Sequence, residues 1–182
     1  MMIWLVRIVG LLFIGLFLVL GLAIYQNAPQ EYQKIQWHDL ISQDAVQPES
    51  LFANMNLNAI SDSDPMAQEM LQDILAEWAN APTNELLNDQ AVNISGYIVP
   101  LDWADDRSLS EFLLVPYFGA CIHSPPPPAN QIIYVKMDEP LKGARSMEEI
   151  SLSGKLVIQR NDAAAMGVSG YTILPDEIKR YE

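Results

Sequence analysis

The apolar positions of this chain change period twice, and each change marks an element. From Ile8 to Tyr25 they are continuous: IVGLLFIGLFLVLGLAIY carries no charge and follows one basic residue, Arg7. Such a run meets the lower end of the roughly 17–25 residues that cross a bilayer as a helix, and exceeds the roughly 7–15 of a signal-peptide core. Residues 1–25 are therefore expected to form a transmembrane anchor, with cleavage near Gly21-Leu22-Ala23 as the alternative. Arg7 would stay in the cytoplasm and everything after Asn27 would cross. That places the working domain in the periplasm, tethered to the inner membrane, or free there if the segment is cleaved.

Residues 26–63 show no sustained period. Asn27 to Gln36 reads as a short stalk, Trp37-His38-Asp39-Leu40-Ile41 as an apolar group that docks onto a domain, and the rest as irregular. A helical period then runs over 64–81. Met66, Met70, Leu71, Ile74, Leu75 and Trp78 share one face, while Glu69, Asp73 and Glu77 line another. Ser63 or Asp64 can cap this helix, Pro65 suits its first turn, and Asn80-Ala81-Pro82 stops it. The spacing predicts an amphipathic helix packed on the domain, its methionines filling core rather than holding copper.

From Ala91 the period becomes two. Strands are expected around Val92–Ile98, Phe112–Pro116, Gln131–Met137, Ile150–Gln159 and Val168–Leu174, with one helical turn in Lys142–Glu149. Gly96 and Gly154 fall mid-strand, where a barrel bulges or turns a corner. The expected fold is mainly β with a few helices: a small five-stranded OB-like barrel over 91–182, preceded by the amphipathic helix and the N-terminal membrane helix. A small sandwich fits the same pattern nearly as well.

Charge removes one class of function. Ten Lys and Arg face 23 Asp and Glu, giving −13 and a pI near 4.3. A surface this acidic does not bind nucleic acid, whose phosphates need a basic face. The 182 residues suffice for one domain beside the anchor, and the single cysteine excludes an intramolecular disulfide.

The candidate chemistry lies in Phe112–Val135, FLLVPYFGACIHSPPPPANQIIYV. Pro125, Pro126, Pro127 and Pro128 form a stiff extended spacer of roughly 12 Å that cannot join a sheet. It holds Cys121 and His123 against Asn130 and Gln131. In an extended segment residues two apart share a face, so Cys121 and His123 could hold one zinc or copper ion. Two ligands do not close a site. His38, Asp102, Asp105 and Asp106 are the candidate partners. The architectural reading makes Cys121 a small buried hydrophobe, His123 a donor to loop carbonyls, and Asn130 and Gln131 caps on loop backbone. A thiolate nucleophile at Cys121 with His123 as base lacks a resolving cysteine and an orienting acid, so an enzyme is not expected. Tyr117 and Phe118 could instead border a ligand or partner groove.

The run Tyr117–Gln131 resembles the signature of a proteobacterial envelope family known as domain of unknown function 3299. The resemblance extends to Trp37-His38-Asp39-Leu40 and to Gly96-Tyr97-Ile98-Val99-Pro100-Leu101. It implies a secreted or membrane-tethered protein, often a lipoprotein, although no lipobox cysteine follows the apolar run here. It brings no activity, only an association of some members with transport genes, including metal uptake. The expectation is therefore a tethered periplasmic accessory protein that handles zinc or copper for a transport system through Cys121 and His123. The alternative is an envelope assembly module that docks a protein partner and binds no metal. The loop in question comprises Tyr117, Pro125–Pro128, Asn130 and Gln131.

Overall fold

The computed structural model describes residues 30–43, 65–104, 108–120, 126–163 and 166–181. The anchor expected over 1–25 and the irregular stretch 44–63 lie outside them. Among the described residues no helix is long and apolar enough to cross a membrane.

Alternation builds the sheet. In β2 (Gln90–Trp103), Val92, Ile94 and Ile98 face one way into the main core. Asn93, Ser95, Tyr97 and Val99 face the other. Phe112 and Leu114 of β3 (Ser108–Val115), Ile133 and Val135 of β4 (Ile133–Lys142), Ile150, Leu152 and Leu156 of β5 (Glu149–Asp162), and Tyr171 and Ile173 of β6 (Val168–Arg180) complete that core. The strand order is β2-β3-β4-β6-β5, and a further β2–β5 pairing closes it into a five-stranded barrel. The β4–β6 contact is parallel; the other barrel pairings are antiparallel.

Closure depends on the length of β2. Gln90 to Tyr97 pairs with β5, whereas Tyr97 to Trp103 pairs with β3. The register slips after Pro100, which has no N–H to give the ladder. Two glycines permit close approaches. A Cβ on Gly154 would fall on the Leu174 carbonyl oxygen, at a register shift between β5 and β6. A Cβ on Gly96 would sit 2.7 Å from the Val115 carbonyl oxygen and 2.9 Å from the Trp37 ring.

Several expectations change. Lys142–Glu149 holds turns, not a helical turn, because Gly143 (φ 63°) and Met147 (φ 59°) both take the left-handed region. The strands run longer than their apolar alternation, since hairpin pairing carries polar residues such as Glu177 and Lys179 into the ladder. The stretch read as a stalk contains an extra strand, β1 (Gln33–Lys34), which pairs in parallel with Val92 and Asn93 of β2. Helix α1 (Pro65–Ala79) forms, but no described side chain of it joins a core; Met70, Ile74, Leu75 and Trp78 are half-buried and Leu71 is 46% exposed. Its C-terminal carbonyl at Ala79 accepts from the Arg160 guanidinium, a cation at the negative end of the helix.

Both faces of the β2-β3-β4 meander are apolar. A second cluster of Val99, Leu113, Val115, Ala120 and Ile132 lies on the face opposite the main core, joined by Tyr97, Leu101, Tyr134, Met147 and Met166. This explains why Phe112–Val115 reads as an unbroken apolar run. The loop that leaves β3 contributes Ala120 to this cluster.

Candidate functional site

The loop from Tyr117 to Gln131 is tied down at both ends. At its start, Gly119 donates its N–H to the Met147 sulfur at 3.4 Å, and the Phe118 ring meets Tyr97 edge-on with centroids 6.1 Å apart. Ala120 is buried, yet Tyr117 is 50% and Phe118 71% exposed. The turn thus fixes its backbone inward while its aromatic side chains stand out. Cys121, His123 and Pro125 lie outside the described residues, as do Asp105 and Asp106.

At the far end, Pro127 is buried and Pro126 packs so close to Gly167 that a Cβ there would stand 2.8 Å from the proline ring. Pro128 (φ −55°, ψ 151°) keeps the extended polyproline conformation and leads into a 3-10 turn, Ala129–Gln131. Asn130 is 4% exposed and donates its side-chain N–H to the Pro82 carbonyl at 2.9 Å. Gln131 donates through Nε2 to the carbonyls of Trp37 (2.8 Å) and Asn130 (3.0 Å). These two amides cap backbone, as the architectural reading expects. Gln131→Leu is expected to cost about 1–2 kcal/mol, the penalty for stranding a partly buried carbonyl, measured by urea denaturation.

What Gln131 holds is the 3-10 turn Trp37–Leu40. Trp37 also donates its indole N–H to the Ser95 carbonyl at 2.7 Å, and Leu40 is fully buried. Asp39 accepts from the Gln36 N–H at 2.7 Å. Beneath lies a node that the sequence does not announce. The fully buried Tyr171 hydroxyl donates to the Leu40 carbonyl at 2.7 Å and accepts the Asn84 N–H at 2.6 Å, while Asn84 Nδ2 donates to the Asp39 carbonyl at 2.8 Å. Burial pushes the Tyr171 phenol up to about 12; the Asn84 bond opposes this and Glu85 reinforces it. Tyrosine in an alternating strand carries no signal of such a role. Only the Trp37–Leu40 resemblance pointed to this region.

Of the candidate accessory ligands, His38 and Asp102 are among the described residues. His38 is exposed and its Nε2 lies 3.2 Å from Asp39 Oδ1. Asp102 is exposed on β2 opposite Glu111. Among the described residues, no three of His, Cys, Asp and Glu come together as a metal site. An open groove of about 450 Å³ runs between Lys34–His38 and Asn93–Ser95. The Asn93 amide at its edge is committed to Ser151 and Ser153.

No curated protein matches the chain. A crystal structure at 2.45 Å of a DUF3299 family protein from Pseudomonas aeruginosa PAO1 is similar over 84% of this chain and 98% of that one, with 30% identity and a TM-score of 0.64. The family model for a protein of unknown function, DUF3299, matches residues 37–180, which take in the Trp37 turn, the whole barrel and the proline loop. The chain belongs to the DUF3299 family.

Proposed function

We propose that this protein is a membrane-tethered envelope module, not an enzyme, that docks a protein partner through the Tyr117–Phe118 end of its loop. The observation that carries this reading is the exposed aromatic pair on a turn whose neighbours are fixed. Phe118 is 71% exposed, yet Gly119 is bonded to Met147 and Ala120 is buried. Rigid exposed aromatics are what partner surfaces use as anchors, because little side-chain entropy is lost on contact. The uncharged run Ile8–Tyr25 supports the tether and the periplasmic location. The three-stranded meander, the parallel β4–β6 contact within the barrel and the β2–β5 closure support an OB-type barrel.

A photo-crosslinking residue at Phe118 tests the docking. It is expected to trap a discrete protein adduct in the envelope, while the same probe at exposed Glu139 on β4 traps none. Equal adducts at both positions, or none at Phe118, would sink it. With the partner in hand, Phe118→Ser is expected to weaken binding by about thirtyfold, as loss of a central aromatic anchor does.

A second reading, zinc or copper at Cys121 and His123, is favoured by their spacing and by the packing of the nearest described residues on either side, Ala120 and Pro126. Elemental analysis of the purified full-length chain separates the two. Stoichiometric metal that disappears in both Cys121→Ser and His123→Ala would establish the metal reading.

A further inference from the structure

Glu148 joins segments that are remote in sequence. Its side chain is 2% exposed. Arg180, at the end of β6, donates to it through Nε at 2.5 Å and Nη2 at 2.9 Å, and the Arg145 N–H donates at 2.9 Å. The same guanidinium donates to the carbonyls of Lys142 (3.2 Å) and Gly143 (2.7 Å). One arginine therefore holds both ends of the turn at 143–148. Within that turn Met147 donates its N–H to the Ile98 carbonyl at 2.8 Å, and its sulfur accepts the Gly119 N–H. A continuous path runs from Arg180 through Glu148 and Met147 to the residue after Phe118.

We propose that Glu148 is an acid-sensitive latch: charged, it holds the end of β6, the 143–148 turn and the Tyr117–Phe118 tip in place, and protonated it releases all three while the rest of the barrel stays paired. Its functional meaning, control over presentation of the aromatic tip, rests on the docking reading. Its test uses no partner.

The surroundings make charge the decisive quantity. Arg180 faces Glu148 from β6 and Arg145 faces it from the turn, its Nη2 at 3.9 Å. From β4 comes the Lys142 carbonyl and from β2 the Ile98 backbone, while the Tyr97 hydroxyl on β2 turns to Glu149 instead. One carboxylate thus answers two guanidinium groups; its own side chain is 2% exposed while those of Arg180 and Arg145 are 37% and 75% exposed, so protonation removes the buried charge that draws both arginines onto the turn. Burial works to raise the Glu148 pKa, but the bonds from Arg180 and Arg145 outweigh it and hold the carboxyl below the usual 4.5. A group depressed in the folded state contributes fully above its unfolded value. The latch is therefore closed above pH 4.5 and opens as pH falls through the lower folded value. The β2–β5 pairing over Gln90–Tyr97 does not pass through Glu148's side chain, so local opening need not unfold the barrel.

Hydrogen exchange on the full-length chain, corrected for intrinsic rates, reads this directly. In Glu148→Gln at neutral pH, the amides of Gly119, Ala120, Met147 and Tyr181 are expected to exchange about tenfold faster, while those of Val92–Gly96 match wild type. The double variant Glu148→Leu with Arg180→Met fills the site with apolar groups and is expected to stay closed and lose its response to acid. The latch is refuted if Gly119 in Glu148→Gln exchanges as in wild type, if β2 accelerates equally, or if the double variant still opens in acid. None of these outcomes depends on whether Phe118 traps a partner.

Discussion

Gly154→Ala is expected to destabilise the barrel by about 3 kcal/mol, because it adds a methyl group at a buried strand position with no room for it. The methyl would collide with the Leu174 carbonyl oxygen and stand 3.0 Å from both the carbonyl carbon of Leu174 and the Cα of Pro175. All three are backbone atoms in the paired β6 strand, so no rotamer change can relieve the clash. The β5–β6 ladder would have to part at the register shift between Ser153 and Gly154. Gly143→Ala provides the contrast. It also replaces a glycine, at φ 63°, but a Cβ there meets nothing within 4 Å. Its cost is the left-handed backbone alone, roughly 1–2 kcal/mol. Urea denaturation of the two variants side by side decides the matter; equal losses would mean that the close approach at Gly154 is relaxed at no cost.

Tyr171→Phe carries the second large effect. The ring would still fill its place in the main core, so the loss is confined to one hydroxyl. That hydroxyl serves both the Leu40 carbonyl and the Asn84 N–H. Stranding two backbone groups is expected to cost about 2–4 kcal/mol in all. The turn at Trp37–Leu40 should loosen with it, visible as a change in Trp37 fluorescence before global unfolding. The same residue makes an alkaline prediction. Burial holds the Tyr171 phenol up to about 12 against an ordinary 10, and burial followed by the Glu111 bond does the same for Tyr134. A phenol raised in the folded state stabilises fully below pH 10, and its contribution is lost as pH rises from 10 toward 12. Melting curves across that window should fall for wild type and fall less for Tyr171→Phe. A variant with an unchanged alkaline slope would show that Tyr171 does not titrate with unfolding.

The barrel was legible because its signal is local. Val92, Ile94 and Ile98 alternate with polar neighbours, and so do Ile150 and Leu152, which is enough to place strands. Helix α1 was equally plain, expected over 64–81 and observed over Pro65–Ala79. What failed was each inference that needed a partner. The apolar stripe of α1 implied burial in the domain, but a stripe states only that some surface is apolar, and among the described residues Met70, Leu71, Ile74, Leu75 and Trp78 join neither core. Gln33–Lys34 is too short and polar to read as a strand, and exists because β2 offers it an edge. Lys142–Glu149 has helical composition, yet Arg180, 31 or more residues further on, holds its carbonyls in turns.

The proline loop divides in the same way. The extended backbone at Pro128 follows from the proline run alone, because a pyrrolidine ring sets φ without help from neighbours. That Asn130 serves Pro82 and Gln131 serves Trp37 could not be read, since an amide side chain shows no preference in sequence for which carbonyl it will reach. Period and ring geometry are properties of adjacent residues, so the amino-acid sequence by itself determined the β character, the helix and the extended proline backbone that leads into Ala129–Gln131. Which carbonyls Tyr171, Gln131 and Arg180 satisfy, and that Tyr117 and Phe118 are left standing in solvent, depend on residues up to about 130 positions apart meeting across the closed barrel, and only the tertiary structure decided them.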